Sequence, residues 1–198
     1  MSIDSAVLAR AVSSIAASVQ NNAEELNAAD GTLGDGDLGI TVSRGFQEAA
    51  AAATPADIGL AMLEYAKAFQ RVSSSSYGTL VATAFMAAAK ALKGREEFDA
   101  EEIPDLLEAA LTAMINRGKA ALGDKTVLDS LAAIVEATRN ASADTMVAAA
   151  KAAAADTVET FRGKPNKIGR ARMFGDQSIG LPDPGQLALQ RIVEGLPS

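Results

Sequence analysis

Three aspartates, Asp30, Asp35 and Asp37, stand at i, i+5 and i+7 inside the glycine-rich stretch DGTLGDGDLG, residues 30–39. That spacing does not stack them on one helix face. In a tight loop they can converge, with Gly31, Gly34, Gly36 and Gly39 letting the backbone fold around a cation. Three carboxylates brought together without a cation repel one another and their pKa values rise. An all-oxygen donor set suits Mg²⁺, Ca²⁺ or Mn²⁺ rather than zinc. The stretch lacks the late glutamate of an EF-hand loop. The alternative is a plain Asp/Gly turn whose acids cap the next helix or face water. Asp35 and Asp37 also lie just before an expected helix N-terminus, where phosphate is favoured. A metal beside such a helix start outlines a nucleotide site.

The rest of the composition narrows the chemistry. The 198 residues contain no cysteine and no histidine, so thiolate metal sites, disulfides and imidazole bases are excluded. The formal net charge is −7, which argues against nucleic acid as a partner. The first residues, MSIDSAVLARAVSS, carry an acid at position 4 and no uninterrupted apolar run. They read as neither signal peptide nor membrane anchor, and the expectation is a cytoplasmic protein.

The elements that must position the aspartates read as helices. Alanine runs at 49–53, 87–89, 148–150 and 152–155 favour helix over strand. Apolar spacing predicts one long helix over 3–28, then helices near 40–53, 57–70, 77–92, 103–117, 126–139, 143–161 and 186–194. The charged segment 95–102 reads as a solvated link, and no strand is expected. Residues 162–185, RGKPNKIGRARMFGDQSIGLPDPG, form a long basic Gly/Pro loop. Its apolar residues Ile168, Met173, Phe174 and Ile179 argue that it is ordered. The whole is expected to be one all-α domain over 1–198.

The stretch DGTLGDGDLGITVSRGF, 30–46, resembles the nucleotide-binding (L) subunit or domain of dihydroxyacetone kinases. The resemblance continues through YGT (77–79), RGK (117–119), GDKTVLD (123–129), GRARMFGDQSIG (169–180) and DPG (183–185). It implies an eight-helix antiparallel barrel with the nucleotide at one end. It further implies two Mg²⁺ ions on Asp30, Asp35 and Asp37, bridging the phosphates of ATP or ADP. Phosphate contacts map to Leu38, Gly39, Ile40 and Thr41 and to Ser73 and Ser74, and adenine contacts to Gly118 and Val127. Arg170 and Asp183 map to a loop closing over the nucleotide. The plain alternatives are a surface arginine for Arg170 and a turn-shaping role for Asp183, while Ser178 and Asp176 read as loop stabilisers.

The implied activity is phosphoryl transfer to dihydroxyacetone or a related short ketose such as erythrulose, with Arg170, and Arg71 or Lys164 beside it, stabilising the transferring group. The ketose would be held by a partner subunit through that subunit's histidine, consistent with the lack of histidine here. A phosphotransferase-system protein as phosphate donor and a homodimer are further partners to consider. Two departures stand out. Leu38 occupies the place of a usual histidine, and Arg71-Val72-Ser73-Ser74-Ser75 replaces a Gly-Gly-Ala-Ser-Gly phosphate loop. Arg71 either offers the phosphates a charged fork or is a solvated helix end. The altered loop points away from permanently bound ADP. A degenerate regulatory or scaffold subunit is the rival reading, and a lipid-related acceptor a third.

Overall fold

The computed structural model describes residues 1–72, 75–118 and 120–197. In chain order the elements are β1 (Ser2–Asp4), α1 (Ser5–Asn21), α2 (Ala23–Leu33), α3 (Leu38–Ala51), α4 (Ile58–Val72), α5 (Ser76–Ala91) and β2 (Glu97–Asp99). A 3₁₀ turn (Ala100–Glu102) then leads to α6 (Ile103–Gly118), α7 (Val127–Arg139) and α8 (Met146–Phe161), followed by a 3₁₀ segment (Arg170–Ser178) and α9 (Pro184–Glu194).

The chain is all-α in class, but two expectations are corrected. The helix expected over 3–28 is two helices. Asn22 ends α1 by returning both its backbone N–H and its side-chain Nδ2 to the Ser18 carbonyl, at 3.2 and 2.8 Å. This competition between an asparagine side chain and the helix leaves the apolar period unbroken, so periodicity does not reveal it. Asp4 closes the other end of α1, accepting from Val7 N at 2.8 Å, and Val12, Ile15, Ala16 and Val19 bury one face. The segment 95–102 is not merely a solvated link. Its β2 pairs antiparallel with β1, placing Ile3 opposite Phe98, and both side chains are buried. Arg95 and Glu102 brace the turn with two bonds of 2.7 Å.

Each helix packs on its neighbour in a closed circuit: α1 on α3, then α4, α5, α6, α7, α8 and α9, and α9 back on α1. Eight helices therefore make the ring, as expected. The ninth α-helix among the described residues, α2, packs on α3 and α9 and touches the 3₁₀ segment 170–178. Consecutive ring helices are packed neighbours, and α3, α5, α7 and α9 all begin at one end, so the ring runs up and down. Buried alanines (Ala49, Ala61, Ala66, Ala68, Ala82, Ala110, Ala150, Ala154) let the helices approach closely. No helix among the described residues is long and apolar enough to cross a membrane.

Four of the eight aromatic residues gather in one place. Phe46 of α3, Tyr65 and Phe69 of α4 and Phe85 of α5 meet edge to face or tilted, with ring centroids 5.0 to 6.4 Å apart. Gly45 makes room for them, because a Cβ there would fall inside the envelope of the Phe69 ring. Phe69 has no exposed surface and nowhere to retreat. Overpacking of about 1–3 kcal/mol should exceed the roughly 1 kcal/mol that alanine gains in helix propensity. Gly45→Ala is thus expected to lower the urea midpoint at unchanged slope. Gly163→Ala, where a Cβ meets nothing within 4 Å, should leave it in place.

Candidate nucleotide and metal site

The acidic loop is built by α2 and α3 together. Asp30 sits in the last turn of α2, and its Oδ2 accepts from Gly36 N at 2.9 Å and Asp37 N at 3.1 Å. The chain thereby doubles back on its own carboxylate. Gly36 adopts φ 78°, a left-handed conformation, and a Cβ on Gly34 would lie 2.5 Å from Asp30 Oδ1. The glycines are thus required by the loop path. One oxygen from each of Asp30, Asp35 and Asp37 lies within 4.8 Å of the others.

Electrostatics follow from that crowding. Partial desolvation, then repulsion from Asp35 and Asp30, raises the Asp37 carboxyl above its ordinary value. At Asp35 desolvation pushes upward, but the hydrogen bond and charge of Arg170, with smaller help from its own loop, bring the carboxyl below the usual range. Arg170 reaches Asp35 directly through its guanidinium. The donor set fits a hard cation. Asp30 Oδ2 is committed to the loop and Asp35 Oδ1 to Arg170, while Asp30 Oδ1, Asp35 Oδ2 and the Asp37 carboxylate remain to ligate.

The loop forms one wall of a cleft of about 510 Å³. Four helices begin at this cleft: α3 with Asp37 and Leu38, α5 with Ser76, Tyr77 and Thr79, α7 with Thr126, Val127 and Leu128, and α9 with Asp183, Pro184 and Gly185. Alternate helices of an up-and-down ring must start at the same end, so their positive dipole ends converge there. Three of the four, α5, α7 and α9, carry a local side-chain cap, and α3 has none at Asp37. Ser75 Oγ accepts from Gly78 N at 3.0 Å, Thr126 Oγ1 from Leu128 N at 3.2 Å, and Asp183 Oδ1 from Gln186 N at 2.8 Å. The remaining first-turn amides are the donors that helix starts offer to anions. Leu33, Leu80, Ala120, Val127, Leu128 and Ile168 make the apolar part of the lining.

The cleft gathers Asp30, Asp35, Asp37, Leu38, Gly118, Val127, Arg170 and Asp183. It does not gather Gly39, Ile40 and Thr41. Gly39 turns to α2, so close that a Cβ would collide with the Ala23 carbonyl. The Ile40 amide donates to Asn27 Oδ1 at 3.2 Å, and the Thr41 amide to the Asp37 carbonyl at 2.9 Å. Ser73 and Ser74 lie outside the described residues. Arg71 faces Glu48 at 3.9 Å and is not among the residues lining the cleft. Lys164 stacks over the Phe161 ring at 3.8 Å. Ser178 is fully buried and serves its own loop, accepting from Asn166 N and donating to the Gly175 carbonyl.

Sequence reasoning missed Ser76, Tyr77, Thr79, Leu80, Arg117 and Thr126 as cleft residues. The available signal was positional. Alternate helices should begin at one end, so the start of every second helix after the acidic loop was a candidate.

A family model for the DAK2 domain matches residues 32–198. The ADP-binding subunit DhaL of the PEP-dependent dihydroxyacetone kinase of Escherichia coli K12 is 30% identical over 181 residues, covering 87% of this chain and 86% of that protein. The corresponding subunit of dihydroxyacetone kinase 1 of Listeria innocua is 35% identical over 178 residues, covering 84% and 82%. L-erythrulose 1-kinase of Mycolicibacterium smegmatis is 29% identical over 185 residues, covering 89% of this chain but 32% of its own length. Among solved structures, the dihydroxyacetone kinase of C. freundii in complex with AMP-PNP and Mg²⁺ superimposes with a TM-score of 0.74 at 24% identity. The match covers 96% of this chain and 33% of that one, and it shows a shared fold.

Asp183 supplies a pH test of the site. Burial raises its carboxyl to about 6, against the lowering effect of bonds from Gln186 N and Asn166 and of the Lys125 charge. The folded value lies above the unfolded one. This group's contribution to stability is therefore full below about pH 4 and is lost as pH rises through about 6. The difference corresponds to roughly 3 kcal/mol. Unfolding free energies measured at pH 4, 5, 6 and 7 should show wild type losing ground to Asp183→Asn across that window, and no further above it.

Proposed function

Because the chain belongs to the DAK2 domain family, we propose that it is the ATP- or ADP-binding subunit of a dihydroxyacetone-type kinase. The observation that carries this reading is the meeting, in one cleft, of three aspartates with a cation's spacing and four helix N-termini. The adenine end is the apolar part of the cleft, where Gly118 lies beside Leu80 and where Val127, Leu128 and Ile168 also line the wall. The phosphates lie toward the helix starts and the acidic loop. Asp30, Asp35 and Asp37 would hold Mg²⁺, two ions by the resemblance, which when bound neutralises polyphosphate charge and orients the terminal phosphoryl group.

The chain's own residues do the rest. Asp30 keeps the loop closed with one oxygen and presents the other. Leu38, buried beneath the loop, excludes water from the floor of the site. Arg170 brings a positive charge from the C-terminal segment to the same carboxylates, within reach of the oxygens of a transferring phosphoryl group. None of the cleft residues is suited to holding a ketose covalently, since the chain has no histidine. The acceptor hydroxyl, on dihydroxyacetone or erythrulose, is therefore presented by the ketose-binding partner subunit. That partner accords with relatives named as subunits of dihydroxyacetone kinases and with others named erythrulose kinases. A phosphotransferase-system protein recharging bound ADP is the donor suggested by the relatives named PEP- or PTS-dependent. ATP used at each turnover is the alternative donor.

Titration calorimetry of the purified chain with ATP and ADP should show binding that requires Mg²⁺. Asp35→Ala should weaken that binding by about tenfold or more while leaving helix content unchanged. ADP that stays on the chain through purification would favour the recharged-ADP mode, and freely exchanging nucleotide the ATP mode. No binding to the wild-type chain under any condition would overturn the assignment and leave a scaffold role.

A further inference from the structure

Lys125 is an unusual lysine. It has no exposed surface, yet it lies in a Gly-Asp-Lys turn ahead of α7 with φ 61°, the only non-glycine positive φ among the described residues. Buried ammonium groups are rare unless every proton is matched. Here the matching is by backbone. Nζ donates to the carbonyls of Lys164, Ser178 and Leu181 at 2.8, 2.9 and 2.8 Å, with Arg162 O further off at 3.5 Å. Three short bonds use the three ammonium protons. All the acceptors belong to the segment 162–181, whose Ile168, Gly169, Arg170 and Ala171 line the cleft.

Further bonds join the same turn to the same segment. The Lys125 carbonyl accepts from Asn166 Nδ2 at 2.9 Å, and the Asp124 carbonyl from Lys167 N at 3.1 Å. Asn166 Nδ2 also donates to Asp183 Oδ2 at 2.7 Å, which carries the network to the start of α9. An apolar side chain of the same volume could fill the space but could not draw three carbonyls inward.

We propose that Lys125 is a positioning residue: its buried ammonium gathers residues 162–181 into a strap and holds Arg170 over the mouth of the nucleotide cleft. Outside the 3₁₀ turns of 170–178 and a few turn bonds the strap has no regular structure, and the carbonyls of Lys164, Ser178 and Leu181 converge because a cation sits at their focus. Lys125 touches no ligand and acts through Arg170. This inference rests on the nucleotide reading of the cleft.

The test uses the full chain and two readouts. Trypsin cleavage after Lys167, Arg170 and Arg172 reports the strap without any ligand. Calorimetry with ATP and Mg²⁺ reports its consequence. In Lys125→Met, strap cleavage should accelerate by about tenfold or more and nucleotide affinity fall by about tenfold, with helix content retained. Arg170→Ala should weaken binding to a similar degree, and the double variant should bind no worse than either single one. Because the chain has no other cysteine, Lys125→Cys can be alkylated with 2-bromoethylamine in denaturant and refolded, replacing bromide with a thioether and restoring an ammonium at lysine length. Recovery of both readouts supports the proposal. Strap protection and affinity within about twofold of wild type in Lys125→Met, multiplicative losses in the double variant, or loss of the helices altogether would each overturn it. Failure of the cleft assignment is distinguishable, since a wild-type chain that binds no nucleotide shows it before any variant is made.

Discussion

Mutual repulsion of Asp30, Asp35 and Asp37 is the constraint around which the cleft is organised. Carboxylates within 4.8 Å of one another oppose folding unless positive charge is brought to them. The backbone is bent to hold them there at some conformational cost, with Gly36 left-handed and Gly34 stripped of side chain against Asp30. Asp30 accepts two amides, Arg170 arrives from the far end of the chain, and four helix N-termini open onto the same space. Losing any one of the three acids would relieve the repulsion.

The ring explains why these parts meet although they are distant in sequence. In an up-and-down circuit of helices, every second N-terminus falls at one end. Asp37, Ser76, Thr126 and Asp183 are therefore neighbours by topology. The short α2 extends across that end and delivers Asp30 from the C-terminal side of a helix. This placement keeps Asp30 from simply capping α3. Its Oδ2 serves the loop and its Oδ1 stays free of those bonds, while the α3 amides at Ile40 and Thr41 are satisfied by Asn27 and the Asp37 carbonyl.

Much of this was legible in the residues. Helix class, the count around the ring and the convergence of the aspartates followed from apolar period, alanine content and glycine spacing. The break at Asn22 and the β1–β2 pair were not legible. Asn22 acts through a side-chain bond that leaves periodicity intact, and each strand is three residues long with one buried side chain, Ile3 or Phe98. Gly39, Ile40 and Thr41 were mapped to phosphate contacts by the family resemblance. The cleft lining leaves them out: Gly39 packs against the Ala23 carbonyl, the Ile40 amide donates to Asn27 of α2 and the Thr41 amide to the Asp37 carbonyl. Lys125 was invisible for a different reason. Its acceptors are carbonyls forty or more residues away in part, and carbonyls carry no sequence signal.

The departures from the family pattern bear on how the site is charged. Where resemblance leads one to expect a histidine, Leu38 lies 7% exposed and belongs to the main hydrophobic cluster. It can shape the floor but cannot donate to a phosphate. Arg71, the residue that could have compensated, is turned outward to Glu48. Among the cations placed by the strap, Lys164 is engaged with Phe161, and Arg170 is the one that reaches the aspartates. The electrostatic demand that other positions would share thus falls largely on a residue in an irregular segment. Such a segment orders only if something holds it, and that makes the buried ammonium of Lys125 a condition of the site rather than an ornament of the fold.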